Sequence, residues 1–310
     1  MAMASACHEG VSALPTEEFS PRFADLDLWP TADAVQAMLD GQLEAAAAVQ
    51  SQASAIASAA EAAAARLGDL GGRLIYVGAG TSGRLAVQDG VELGPTFGWD
   101  KARTVYLIAG GQEALMSSVE GAEDDAAAGE RAMRETAPAA CDVVIGVAAS
   151  GSTPYTLAAI RAAREAGALT IGMANNSGAP LLQVAGHPIL LDTGAEVLAG
   201  STRMKAGTAQ KIALNAFSTA VMLRLGRVYE GRMVGMRVSN AKLRRRAVDM
   251  IVEIARVEHA AASAALEAAD GDIPIAVLIA LGHAPERAVI ALAAAGGNLR
   301  AALGQLQSRT

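Results

Sequence analysis

The 310-residue sequence predicts an α/β protein: a doubly wound, mainly five-stranded parallel sheet, with N-terminal helices before it and a small helical bundle after it. Three observations carry this. Short apolar, β-branched runs recur at residues 74–77, 104–108, 142–147, 169–173 and 188–191. They show no polar–apolar alternation, the texture of strands buried on both faces. Longer helical stretches separate them, with Gly, Ser or Asn at the boundaries, which implies βαβ units.

Taken in order, the first 30 residues mix polar, acidic and proline residues without periodicity and read as an arm. Residues 32–67 are rich in Ala, Gln and Glu and read as two helices. Strands and helices then alternate up to Asp192. A loop at 193–205 leads into a long helix, about 206–225. Residues 240–310 read as all-helical, punctuated by Asp270-Gly271 and Gly296-Gly297. This divides the chain into an arm with helices (1–66), an α/β domain (67–236) and a helical domain (237–310).

Composition narrows the function. Apolar residues make up 52% of the chain and aromatics only 3%, an alanine excess that favours packed helices. A net charge of −7 excludes a general nucleic-acid footprint. No apolar run is long enough to span a membrane, and residues 1–13 lack the basic and apolar blocks of a signal peptide. The only cysteines, Cys7 and Cys141, suit a reducing cytoplasm rather than a disulfide framework. The four histidines (His8, His187, His259, His283) have no ligand-like spacing, so no metal is expected.

Gly78-Ala79-Gly80-Thr81-Ser82-Gly83 follows the first strand and opens a helix. It matches the dinucleotide fingerprint, but that reading needs a carboxylate at the end of the second strand. There the sequence is Ile108-Ala109-Gly110-Gly111-Gln112. Phosphate binding is the better reading: glycines admit the anion to the free N–H groups of the helix start, and Thr81 and Ser82 add hydroxyl donors. Ala149-Ser150-Gly151-Ser152-Thr153-Pro154 also lies between a strand and a helix. Two such loops in one sheet, poor in Lys and Arg, suit a small phosphate ester. In the third loop, Ser201 and Lys205 are candidates to bind it; the alternative is a Ser or Thr helix cap followed by a surface lysine. The basic run 242–246 reads as a solvated or subunit-contact face.

These residues resemble the N-acetylmuramic acid 6-phosphate etherases of the sugar isomerase (SIS) superfamily. The resemblance rests on residues 75–85, Pro95-Thr96-Phe97-Gly98, Ile108-Ala109-Gly110-Gly111, Val119-Glu120-Gly121-Ala122-Glu123-Asp124, and Gly200-Ser201-Thr202-Arg203-Met204-Lys205-Ala206-Gly207-Thr208-Ala209-Gln210-Lys211. It implies a flavodoxin-like SIS sheet, a sugar-phosphate ligand bound by Gly80, Thr81, Ser82, Ser150, Gly151, Ser152, Thr153, Ser201 and Lys205, and a homodimer. It also implies release of D-lactate and N-acetylglucosamine 6-phosphate without metal or cofactor. A base takes the C2 proton, acidified by the C1 aldehyde of the open sugar; an acid protonates the departing lactate oxygen; water then adds. The resemblance makes Glu92 the acid and Glu123 the base. Glu92 sits in an apolar stretch, so burial is expected to let it hold a proton. The chain departs from the family at Ser152, where an arginine is usual, and at Val91, Leu93 and Gly94 around Glu92. Two alternatives share these loops: a sugar-phosphate regulator resembling the glucokinase regulatory protein, and an aldose–ketose isomerase.

Overall fold

The computed structural model describes residues 14–69 and 71–307; Cys7, His8 and the segment 1–13 lie outside them. Three 3-10 turns (Pro15–Glu17, Pro21–Phe23, Leu26–Leu28) lead into helices α1 (Thr31–Ser51) and α2 (Ala53–Asp69). The strands are β1 (Leu74–Gly78), β2 (Thr104–Ile108), β3 (Val143–Val147), β4 (Leu169–Ala174) and β5 (His187–Leu190). Between them run α3 (Gly80–Phe97), α4 (Ala126–Glu135), α5 (Pro154–Glu165) and α6 (Pro180–Val184). After β5 come α7 (Lys205–Arg224), α8 (Ala241–Ala255), α9 (His259–Ala268), α10 (Ile273–Ala280), α11 (Pro285–Ala294) and α12 (Leu299–Gln307).

The five strands form one parallel sheet in the order β2-β1-β3-β4-β5, as the apolar runs predict. The central strands β1 and β3 are buried at every position. The edge strands β2 and β5 are partly open. Each face of the sheet has its own core. Tyr76, Ile145, Ile171 and Met173 pack against α2, α3 and α7. Ile75, Val77 and Val144 pack against α4, α5 and α6 through Met133, Ile160 and Leu181. The helices after residue 240 enclose a third apolar cluster around Ile251, Leu266, Val277 and Leu299. The N-termini of α8 and α10 are set by side-chain caps, Asn240 accepting from Leu243 N–H and Asp272 from Ile275 N–H, both at 2.9 Å.

Among the described residues no single helix is long and apolar enough to cross a membrane, and no group of three or more His, Cys, Asp or Glu side chains could hold a metal ion.

Candidate active site

β1 and β3 are neighbours in register, Gly78 opposite Val147. The two hydroxyl-rich loops therefore leave the carboxyl end of the sheet side by side, where open α/β sheets bind ligands. In the first, Gly80 has φ +52° and begins α3. A Cβ on Gly83 would sit 2.9 Å from the carbonyl carbon of Gly78, so the missing side chain lets the helix pack directly on the strand. In the second, Gly151 has φ +65°, and a Cβ there would lie 2.5 Å from that of Ala179. Ser152 N–H donates to Ser150 Oγ at 3.2 Å. Neither α3 nor α5 is capped by a side chain. Their first N–H groups have no intrahelical partner and are available to an anion.

The loops converge on a cavity of about 450 Å³ lined by Gly80, Thr81, Ser82, Ser150, Ser152 and Thr153. Glu17, Glu123, Asp124, Gly200 and Thr202 form the rest of its polar wall, which includes no Lys or Arg. Gly151 shapes the second loop but does not line the cavity, and Thr202 rather than Ser201 reaches it.

Glu123 arrives on a 3-10 turn, Ala122–Asp124, that starts at Gly121 with φ +70°. Arg84, one turn into α3, holds the preceding segment: Nε donates to Ala114 O at 2.8 Å and Nη2 to Ser117 O at 3.0 Å. The helix of the first hydroxyl-rich loop thus anchors the segment that carries Glu123. A smaller hollow of about 200 Å³ adjoins the cavity and shares Ala79, Gly80 and Glu123 with it.

The expected burial of Glu92 does not hold. Glu92 is exposed on α3 and lies outside the cavity lining. Its apolar neighbours in sequence are not its neighbours on the helix: at about 100° per residue, Asp89 and Leu93 turn inward while Val91 and Glu92 turn out. The buried carboxylate of α3 is Asp89, which accepts from Tyr76 Oη (2.9 Å), Asn215 Nδ2 (2.7 Å) and Ser218 Oγ (2.9 Å). Burial pushes its pKa up, outweighing the hydrogen bonds that pull it down. The same contacts tie α3 to β1 and α7.

Lys205 is not on the cavity wall and is not a surface lysine. Its ammonium is turned towards α1, donating to Glu44 Oε2 at 2.6 Å and Ala195 O at 3.0 Å. No Ser or Thr caps α7. Buried Glu196 does so instead, accepting from Lys205 N–H (3.0 Å) and Ala206 N–H (2.9 Å). Glu196 stands too far ahead of the helix for any local capping pattern to find it.

Sequence reasoning also missed Glu17, Asp124 and Asn176. Asn176 Nδ2 donates to Ala149 O (2.9 Å) and to Thr16 Oγ1 (3.0 Å), joining the second hydroxyl-rich loop to the N-terminal arm. A contact between residues 160 apart puts Glu17 in the cavity, and such a contact leaves no local signal.

Two family models match the chain: the glucokinase regulatory protein N-terminal SIS domain over residues 54–164 and the SIS domain over residues 131–220. An N-acetylmuramic acid 6-phosphate etherase from Deinococcus radiodurans is 50% identical over 94% of this chain and 95% of that protein. Its counterpart from Rubrobacter xylanophilus is 48% identical over 96% of this chain and 98% of that protein. Among solved structures, a phosphoheptose isomerase from Francisella tularensis matches with a TM-score of 0.45 and 15% identity, covering 63% of this chain and 98% of that one. With near-complete coverage at such identity, the chain belongs to the family of N-acetylmuramic acid 6-phosphate etherases.

Proposed function

We infer that the chain is a carbon–oxygen lyase that converts N-acetylmuramic acid 6-phosphate to N-acetylglucosamine 6-phosphate and D-lactate, within the recycling of cell-wall amino sugars. The observation that carries this reading is the near-full-length identity to etherases, joined to a cavity where both hydroxyl-rich loops meet a carboxylate. The phosphate sits on the N-termini of α3 and α5, hydrogen-bonded by Thr81, Ser82, Ser150, Ser152 and Thr153. Glu123 takes the C2 proton of the ring-opened sugar. The C3–O bond then breaks, and Glu92 delivers a proton to the lactate oxygen. Glu92, now a carboxylate, takes a proton from water as the hydroxide adds at C3, and Glu123 returns its proton to C2, which completes N-acetylglucosamine 6-phosphate.

Glu92 faces outward from its own chain, so in this mechanism it acts in a site closed by a second copy. Three features support a homodimer. Val91, beside Glu92, is 56% exposed. Val35, Leu39 and Leu43 form an exposed apolar stripe on α1 at helical spacing. The cavity wall carries three carboxylates and no cation, so charge balance for an anionic ligand also favours groups from another subunit. Sedimentation at micromolar concentration tests the pairing, and a monomer would defeat it. A phosphorylated sugar as substrate goes with action in the cytoplasm. The activity itself is tested by incubation with N-acetylmuramic acid 6-phosphate and a lactate assay; C2 exchange without lactate would identify an isomerase instead.

A further inference from the structure

The N-terminal arm is built into the cavity. Thr16 is fully buried, its N–H and Oγ1 within 3.2 and 3.4 Å of Asn176 Oδ1, and its carbonyl accepts from Gly200 N–H at 3.1 Å. Asn176 in turn holds Ala149 O in the second phosphate loop. One residue further on, Glu17 lies so close to Gly200 that a Cβ on that glycine would sit 2.8 Å from Glu17 Oε2. Gly200 has φ +74°, a conformation other residues rarely adopt. The latch at Thr16 holds the backbone beside it, and the exposed Glu17 carboxylate lines the same cavity as Thr81 and Ser82.

A carboxylate in an anion site is unfavourable beside the phosphate itself. It is favourable against neutral donors on the ligand, which the hydroxyls and acetamide N–H of an amino sugar supply. Resting on the sugar-phosphate reading of this cavity, we propose that Glu17 is a substrate-contacting residue whose carboxylate accepts hydrogen bonds from the sugar, selecting the sugar portion while the two loops select the phosphate.

The test compares wild type, Glu17→Gln and Glu17→Ala in lactate release, with inorganic phosphate as competitive inhibitor. Loss of a hydrogen bond to a charged group predicts that KM rises roughly 10- to 100-fold in both variants, with a smaller change in kcat and an unchanged inhibition constant for phosphate. A KM within twofold of wild type in both variants would overturn the proposal. So would a loss of phosphate affinity in proportion to the change in KM, because Glu17 would then act only by supporting the loops. If wild type released no lactate, the etherase reading would fail separately, and calorimetry with N-acetylglucosamine 6-phosphate would give the same comparison for Glu17.

Discussion

The two ends of the five-stranded sheet use charge in opposite ways. At the amino end the charged side chains of Arg73, Asp142 and Arg103 are satisfied within the chain. Arg73 Nη2 donates to Asp142 Oδ2 at 2.6 Å and its backbone N–H to Oδ1 at 2.8 Å, while Ala139 N–H donates to Oδ2 at 3.0 Å. Arg103 donates to the carbonyls of Gly72 and Leu67 and stacks 4.2 Å over the Trp99 ring. At the carboxyl end, two helix N-termini lack side-chain caps and three carboxylates line an open cavity. Saturated groups stabilise the sheet; groups left open are those that can bind and move protons. The difference predicts that substitutions at the carboxyl end change activity with little effect on stability, and the reverse at the amino end.

The largest expected effect separates the two glutamates. Glu123→Gln loses both C2 exchange and lactate release, each by roughly 10²–10⁴-fold. Glu92→Gln loses lactate release by a similar factor but keeps C2 exchange. Deuterium uptake at C2 of N-acetylglucosamine 6-phosphate in heavy water reads the first step and a lactate assay the second. Exchange lost only in Glu92→Gln would reverse the roles. Mixing the two inactive variants then asks where Glu92 acts. If it serves the partner's site, re-assorted dimers recover about a quarter of wild-type activity, since half the dimers are mixed and each has one intact site. No recovery would place both glutamates in one chain's site.

Next in size are the loop hydroxyls. Ser82→Ala or Ser150→Ala should weaken sugar-phosphate binding by about 1.5–3 kcal/mol, the value of a hydrogen bond to a charged group, with thermal stability close to wild type. Unchanged affinity in both would remove these loops from the site.

The smallest effect on activity, and the converse one on stability, is expected at Asp142. Burial raises its pKa, but the side-chain and backbone hydrogen bonds from Arg73, with that from Ala139, outweigh this and leave it below the ordinary 3.8. A carboxylate with a lowered folded pKa adds stability that is complete above its unfolded value and lost as pH falls through the folded one. Stability should therefore decline below about pH 4. Asp142→Asn should cost about 1–3 kcal/mol at neutral pH, flatten that acid decline and leave KM unchanged. Denaturant melts at pH 3 and pH 7 measure this; an unaltered acid limb in the variant would shift the cause to other carboxylates.

What the sequence determined by itself was local or periodic. Unalternating apolar runs marked five strands because both faces of a parallel sheet are covered, and Gly80 and Gly151 marked strand-to-helix loops, where the structure gives both a positive φ. Motifs resembling those of the family, set between about residues 70 and 250, carried the family. Three features were decided only by the tertiary structure. Glu92 turned outward because its surroundings follow from the rotation of α3, not from adjacent residues. Lys205 turned towards Glu44, which sits on a helix that approaches only after folding. Glu17 entered the cavity because Thr16 docks on Asn176, 160 residues away. Backbone conformation is set by neighbours along the chain and can be read there; the partners of a charged side chain are set by how elements pack, and no local pattern encodes them.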